Sequence, residues 1–340
     1  MTASVLILGG TGDIGHFSVL ALLEAGHGVT VLNRGLTADE LPSDVERLRA
    51  DRADEDGLRT ALAGRDFDLV LDTTTYTGDD ARQVTELFDG RAGRYVFISS
   101  GQVYLVREGA TRPYREEDYA GPVMAAPPPD SPDYGDWGYG VGKRAAEDTF
   151  AVAWTARRFP VTTLRLPMVA SERDRRGRVQ AYIARILDGG PLLIPREPGL
   201  PLRHVYVHDV ADLIVGLVSM SSGIGRAYNV SWSESMPLEQ LIILLASLMQ
   251  RSANIVRVPR AELERSELLP DCSPFSGQWM SELDATRSLR ELVATESYTA
   301  PDDYLARLIV DYRDRWQSVG LVPAGYGRRS AEMTFVNPPT

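Results

Sequence analysis

The first half of the chain alternates short apolar, β-branched runs with amphipathic stretches. Strands are expected at Ser4–Leu8, Val29–Leu32, Leu48–Ala50, Leu69–Leu71 and Tyr95–Ile98. Between them, helices are expected at Gly12–Ala25, Asp56–Ala63 and Asp79–Phe88; in the first, Phe17, Leu20, Ala21 and Leu23 recur at helical spacing. Strands that alternate with helices build βαβ units, so the pattern predicts an α/β fold with a doubly wound parallel sheet. Pro113–Pro132 is dense in Pro, Gly and Asp and reads as a long loop of the kind that covers a site. A helix over Tyr139–Arg158 and a strand over Val161–Leu166 follow. Beyond them the alternation weakens. Helices are expected at Arg178–Leu187, Val210–Ser219, Leu238–Met249 and Asp302–Trp316, and strands at Arg203–Val207 and Tyr228–Val230. The stretch after Gly320 has little pattern and is expected to be loosely held.

Composition narrows the function classes. The chain has 340 residues, 44% hydrophobic and 24% charged, the values of an ordinary globular protein. Its formal charge of −11 disfavours nucleic acid as a partner, because an acidic surface repels a phosphate backbone. The single cysteine, Cys272, allows no internal disulfide and no cysteine cluster for a metal. No apolar run is long enough to span a bilayer and no cationic signal region precedes the first strand, so a cytoplasmic protein is expected. His204 and His208 lie four apart where a strand enters a helix and have no third ligand in sequence, so no metal site is expected.

The first strand ends in Gly9-Gly10-Thr11-Gly12-Asp13-Ile14-Gly15, and a helix follows. Glycines at such a turn let the backbone approach a pyrophosphate, and the helix N-terminus offers free N–H groups. The second strand ends in Asn33-Arg34-Gly35. An acid there would hold the ribose 2′-hydroxyl of NAD; its absence, together with Arg34, favours NADP(H), with NAD(H) as second choice. Asp51, at the end of the third strand, is placed to accept from the adenine amino group. Thr73 and Thr74, just past the fourth strand, are placed near the nicotinamide ribose.

Tyr139 and Lys143 lie four apart, on one face of a helix. An ammonium beside a phenol lowers the phenol's pKa from its ordinary value near ~10. With a serine hydroxyl holding the substrate oxygen, the pair forms a proton relay for oxidising an alcohol or reducing a carbonyl. Lys143 is the only lysine among 36 basic residues. With 14 tyrosines in the chain, a lysine placed at random would follow one by four residues about 4% of the time (14/340). Arginine would supply charge there, but not a compact ammonium.

With GGTGDIG at 9–15, ISSGQVY at 98–104, YGVGK at 139–143 and RHVYVHDV at 203–210, the chain resembles the extended short-chain dehydrogenases/reductases of the NAD-dependent epimerase/dehydratase family. Asn33-Arg34-Gly35, with Tyr76 and Tyr95–Tyr104, is similar to an atypical branch that includes chloroplast RNA-associated proteins. The resemblance spans roughly residues 3–317. It implies a Rossmann domain over 1–170, to which 205–233 return, a smaller α/β substrate domain over 171–204 and 234–320, and a tail over 321–340. It also implies Ser100 as the catalytic serine, Tyr139 as the acid/base, and Lys143 as the residue that holds the nicotinamide ribose. Ser100, Gln102, Tyr139 and Arg203 are the expected substrate contacts, Arg203 matching the family's diphosphate-contacting arginine.

Two departures bear on the reaction. Gly101-Gln102 stands where sugar-nucleotide dehydratases place Asp-Glu, which speaks against dehydration. Leu166-Pro167-Met168-Val169-Ala170 lacks the Asn that many epimerases carry there. The expected function is therefore hydride transfer between nicotinamide and a carbonyl or alcohol carbon of a small molecule, with ketone reduction favoured. Redox-neutral epimerisation of a nucleotide sugar is the alternative, and a non-catalytic dinucleotide-binding or RNA-associated module is a third reading. Neither a membrane nor a nucleic-acid partner is expected, and a homodimer is left open.

Overall fold

The structure, a computed structural model, describes residues 2–37, 39–197, 199–293, 297–323 and 325–336. The chain divides into two compact units. The first contains residues 1–169, 205–233 and 283–298. Its sheet comprises β1 (Ser4–Leu8), β2 (Gly28–Asn33), β3 (Glu46–Arg49), β4 (Phe67–Asp72), β5 (Ala92–Ser100), β6 (Val161–Leu166) and a seventh strand, Arg226–Asn229. All pairings are parallel, and the spatial order is Arg226–Asn229, β6, β5, β4, β1, β2, β3. The order reverses between β1 and β4, the switch point at which such sheets bind ligands beyond the strands' carboxyl ends. The register brings those ends together: Leu8 lies opposite both Leu32 and Asp72, and Asp72 opposite Phe97.

The strands are apolar on both faces because helices cover both. One core layer includes Val5, Ile7, Val31, Leu71 and Ile98; the other includes Leu6, Leu8, Val70, Tyr95 and Phe97. The helices before β6 are α1 (Asp13–Glu24), α2 (Glu55–Ala61), α3 (Gly78–Leu87), α4 (Gln102–Leu105) and α5 (Tyr134–Arg157). Side chains fix the starts of α2 and α3. Asp54 accepts from the Gly57 amide, and Thr77 and Asp80 form a reciprocal capping box.

Several details depart from the sequence expectations. Helix α5 begins at Tyr134, five residues before the expected start at Tyr139. The loop 113–132 contains a short 3₁₀ turn at Glu116–Tyr119. The C-terminal stretch expected to be loose contains a helix at Arg329–Val336; of the tail 321–340, residues 324 and 337–340 lie outside the described residues.

The second unit contains residues 170–204, 234–282 and 299–340. It has a two-stranded parallel sheet, Pro191–Pro195 with Asn254–Val258, and helices at Arg178–Asp188, Leu238–Leu248 and Pro301–Asp311. The last of these gives way to a π-helical segment, Tyr312–Gln317, rather than running on unbroken to Trp316. The Arg329–Val336 helix is held by charge. Glu332 and Arg185 are fully buried and paired, and Arg329 reaches both Glu332 and Asp188. No helix among the described residues is long and apolar enough to cross a membrane.

Candidate active site

The Gly9–Gly15 turn caps the C-terminal end of β1. Gly12 is the N-cap of α1, and no side chain caps that terminus. Its glycines differ in what surrounds them. A Cβ on Gly15 would stand 2.7 Å from the Gly10 backbone, so Gly15 is needed for the helix to pack on the turn. A Cβ on Gly12 would meet nothing within 4 Å. Gly12 therefore borders open space in front of the helix N-terminus, the cradle a pyrophosphate needs. Thr11, Asp13 and Ile14 are part-exposed on the same turn, and Ile14 packs against the core. Gly12→Val is expected to fold normally and to bind dinucleotide at least about tenfold more weakly. Gly15→Val should instead lose stability. Calorimetry and thermal melts separate the two effects, and undiminished affinity in folded Gly12→Val would place the phosphate elsewhere.

Asn33 ties the end of β2 to this turn. Its amide donates to the Gly9 carbonyl (3.3 Å), and its side-chain oxygen accepts from the Gly35 amide (2.8 Å) and from Arg49. Arg34 is exposed. Arg49 lies against Gly35, adding a second guanidinium that the sequence reading missed because β3 is short and half exposed. Asp51 is exposed and accepts from the Ala53 amide.

At the end of β4, Thr73 donates to the Leu8 carbonyl (2.9 Å) and lies beneath Gly9. Thr74 donates to Asp72 and accepts from Arg52 (2.7 Å). Asp72 is fully buried. Burial alone would raise its carboxyl, but Arg52 at 3.0 Å and hydrogen bonds from Thr75 and Tyr95 hold it well below the usual carboxylate range. Arg52 follows directly on Asp51, and nothing local in the sequence marks it as the partner of a buried carboxylate.

Ser100 ends β5, and its hydroxyl accepts from the Gln102 amide (3.2 Å). Gln102 is buried and donates to Asp136 on α5. Tyr139 lies on α5 with 37% of its surface exposed. Burial around its hydroxyl raises the phenol's pKa, partly offset by a hydrogen bond with Ser100. The depression expected from Lys143 is therefore not what this arrangement gives. The Lys143 ammonium is 5.8 Å from the centre of the Tyr139 ring. It donates to the carbonyls of Thr75 (2.6 Å) and Ile98 (2.8 Å). Burial lowers the Lys143 pKa to about 8, while the Asp72 and Glu147 carboxylates oppose that fall.

The spacer in Tyr139-Gly-Val-Gly-Lys143 has a packing reason. A Cβ on Gly142 would lie 2.6 Å from the Tyr76 carbonyl oxygen, and one on Gly140 would lie 2.9 Å from that of Gln102. The two glycines let α5 press between the ends of β4 and β5, which sets both Tyr139 and Lys143. One turn beyond Lys143, Glu147 is buried and pairs with the equally buried Arg165 of β6 (3.0 and 3.1 Å from its Nε). Ser99 donates to the same carboxylate. Arg165 also donates to Tyr104, whose hydroxyl donates to Asn229.

In the second unit, Arg203 binds Ser235 (2.8 Å) and pairs with Glu282 (3.4 Å). Arg175 and Arg176 are exposed, and Arg178 pairs with Asp174 (2.8 Å). His204 is buried against Phe275 and hydrogen-bonded to Tyr304, and burial lowers its pKa to about 3.

The parallel sheet, its switch point and the glycine turn define a Rossmann-type fold. A profile of the NAD dependent epimerase/dehydratase family matches residues 5–231, and the chain belongs to that family. It is 26% identical over 280 residues to a 2′-dehydrokanamycin reductase of Streptomyces kanamyceticus, covering 80% of this chain and 75% of that protein. Over 131 residues it is 30% identical to a chloroplast stem-loop binding protein of 41 kDa from Arabidopsis thaliana, about a third of each chain. The fold matches that of the Bordetella bronchiseptica enzyme WbmH, solved in complex with NAD⁺. That match has a TM-score of 0.69 at 19% identity and covers 92% of this chain and 99% of the other.

Proposed function

We infer that the chain is a reductase that uses a reduced nicotinamide dinucleotide, NADPH by preference, to convert a ketone of a sugar or glycoside to the alcohol. The observation that carries this is the meeting of Tyr139 and Lys143 on α5, the Lys143 ammonium 5.8 Å from the centre of the Tyr139 ring, with Ser100 at the end of β5. A protonated phenol can donate to the oxygen of a carbonyl being reduced, whereas oxidation would need the phenolate. The likeness to a 2′-dehydrokanamycin reductase over most of the chain supports the same direction.

The residues fit the cofactor. Gly9, Thr11, Gly12, Asp13, Ile14 and Gly15 form the cradle for the pyrophosphate, and Asn33 braces it. Asp51 would meet the adenine, and Thr73 and Thr74 would stand near the nicotinamide ribose. When bound, the dinucleotide supplies the hydride. Tyr139 donates the proton, Ser100 orients the substrate oxygen, Lys143 holds positive charge beside both, and Gln102 borders the substrate. Arg203 is the proposed contact for an anionic group of the substrate.

Arg34, with Arg49 close by, supports the NADPH preference. The wild type should bind NADPH more tightly than NADH, and Arg34→Ala should reduce that preference about tenfold or more, the scale of a charge-assisted phosphate contact at ~1.5–3 kcal/mol. Equal or tighter NADH binding by the wild type would overturn it. The reductase reading is tested with ketosugars that include 2′-dehydrokanamycin. Reduced nicotinamide should be consumed in step with product, and the oxidised form should accumulate free in solution. An epimerase would convert substrate with no net consumption.

A further inference from the structure

We propose that Tyr76 is a positioning residue of this site, its ring completing an aromatic cage that holds the Lys143 ammonium beside Tyr139. The cage rests on geometry. The Lys143 nitrogen lies 4.7 Å from the centre of the Tyr76 ring, 4.9 Å from that of Phe97 and 5.8 Å from that of Tyr139. The Tyr76 and Tyr139 rings are 6.3 Å apart and inclined at 51°. Ring faces at such distances attract a cation, and more strongly when water is excluded. Lys143 is only 2% exposed.

The three walls are not equivalent. Phe97 is locked in β5, and Tyr139 is committed to proton transfer. Tyr76 is half exposed and belongs to no strand or helix. Its backbone is nevertheless fixed: its amide donates to Asp80 at 2.9 Å, and Gly142 lets α5 approach its carbonyl. The ring therefore stands over the ammonium while half of the residue's surface remains exposed. Two backbone carbonyls complete the shell, from Thr75 and Ile98. Asp72, Glu147 and Asp80 attract the ammonium from farther out, and Arg52 repels it. A cage of this size takes a compact ammonium and has no room for a planar guanidinium, which accounts for one lysine surviving in a chain otherwise built on arginine.

The catalytic consequence rests on the reductase reading, but the cage can be tested without it. Because Lys143 is the only lysine, protein labelled with ¹³Cε-lysine gives one lysine Cε resonance, whose pH titration in the ligand-free protein reads Lys143 directly. The wild type should titrate near 8. Tyr76→Phe keeps the ring face and should superimpose on it. Tyr76→Leu keeps an apolar cover without a ring face, and its midpoint should fall by about half a pH unit, the scale of one cation–π contact. Tyr76→Ile is the second variant should the first fold poorly. An unchanged midpoint would show that the ring contributes nothing. A raised one would make Tyr76 a mere cover against water. Either overturns the proposal and leaves the reductase reading intact.

Discussion

Tyr139→Phe is expected to lower kcat by on the order of 10²-fold or more, the scale of a lost acid–base contribution, with little change in folding. The hydroxyl it removes is the proposed proton donor, while the ring that walls Lys143 is kept. Lys143→Arg preserves net charge but places a bulky fork where Thr75, Ile98 and the surrounding rings leave space for an ammonium. Its kcat should fall on the same scale, and the double variant should lose little more, because the two residues act as one unit. The pH dependence has a defined sign. Burial raises the Tyr139 phenol, so it stays protonated through neutral pH. Burial brings the Lys143 ammonium down to about 8, so reductase activity should decline on the alkaline side as the ammonium loses its proton. A Lys143→Arg enzyme with most of its kcat and an unshifted profile would remove Lys143 from the mechanism.

The second large effect is on stability. Glu147 and Arg165 are both almost wholly buried and paired through two nitrogens. Glu147→Gln leaves a guanidinium in the core without its counter-charge and should cost about 3–5 kcal/mol. Replacing both partners with Leu removes the unpaired charge and should recover much of that loss. Denaturant midpoints measure both variants. A single variant within about 1 kcal/mol of wild type would mean that water or another carboxylate compensates. Because Glu147 lies one turn beyond Lys143, the pair also sets how deeply α5 sits against β5 and β6.

What the sequence revealed and what it hid follow from the same physics. The glycine turn between β1 and α1 was legible because glycines between a strand and a helix have few other reasons to be there. Lys143 was legible because a lone lysine in an arginine-rich chain, four residues after a tyrosine, demands an explanation. The start of α5 was missed because Gly135 and Gly138, before Tyr139, read as loop; a Cβ on either would meet nothing within 4 Å, so no packing contact marks them as helical. The buried charges were missed because Glu147, Arg165, Arg185 and Glu332, like the half-buried Arg52, look like surface residues until a partner is seen. For Glu147 a signal existed: its position four after Lys143 puts it on the same helix face. Nothing local in the sequence pairs Arg185 with Glu332, 147 residues apart, and so the C-terminal helix was read as loose chain.

The most direct test of the central claim is isotope transfer. Reduced nicotinamide dinucleotide carrying deuterium at the transferable C4 position is incubated with the enzyme and a ketosugar it converts. The account predicts one deuterium on the new carbinol carbon per molecule of oxidised nicotinamide released, with transfer slowed by on the order of 10²-fold or more in Tyr139→Phe. Converted substrate with the deuterium still on the cofactor, or product formed while no oxidised nicotinamide leaves the protein, would contradict it.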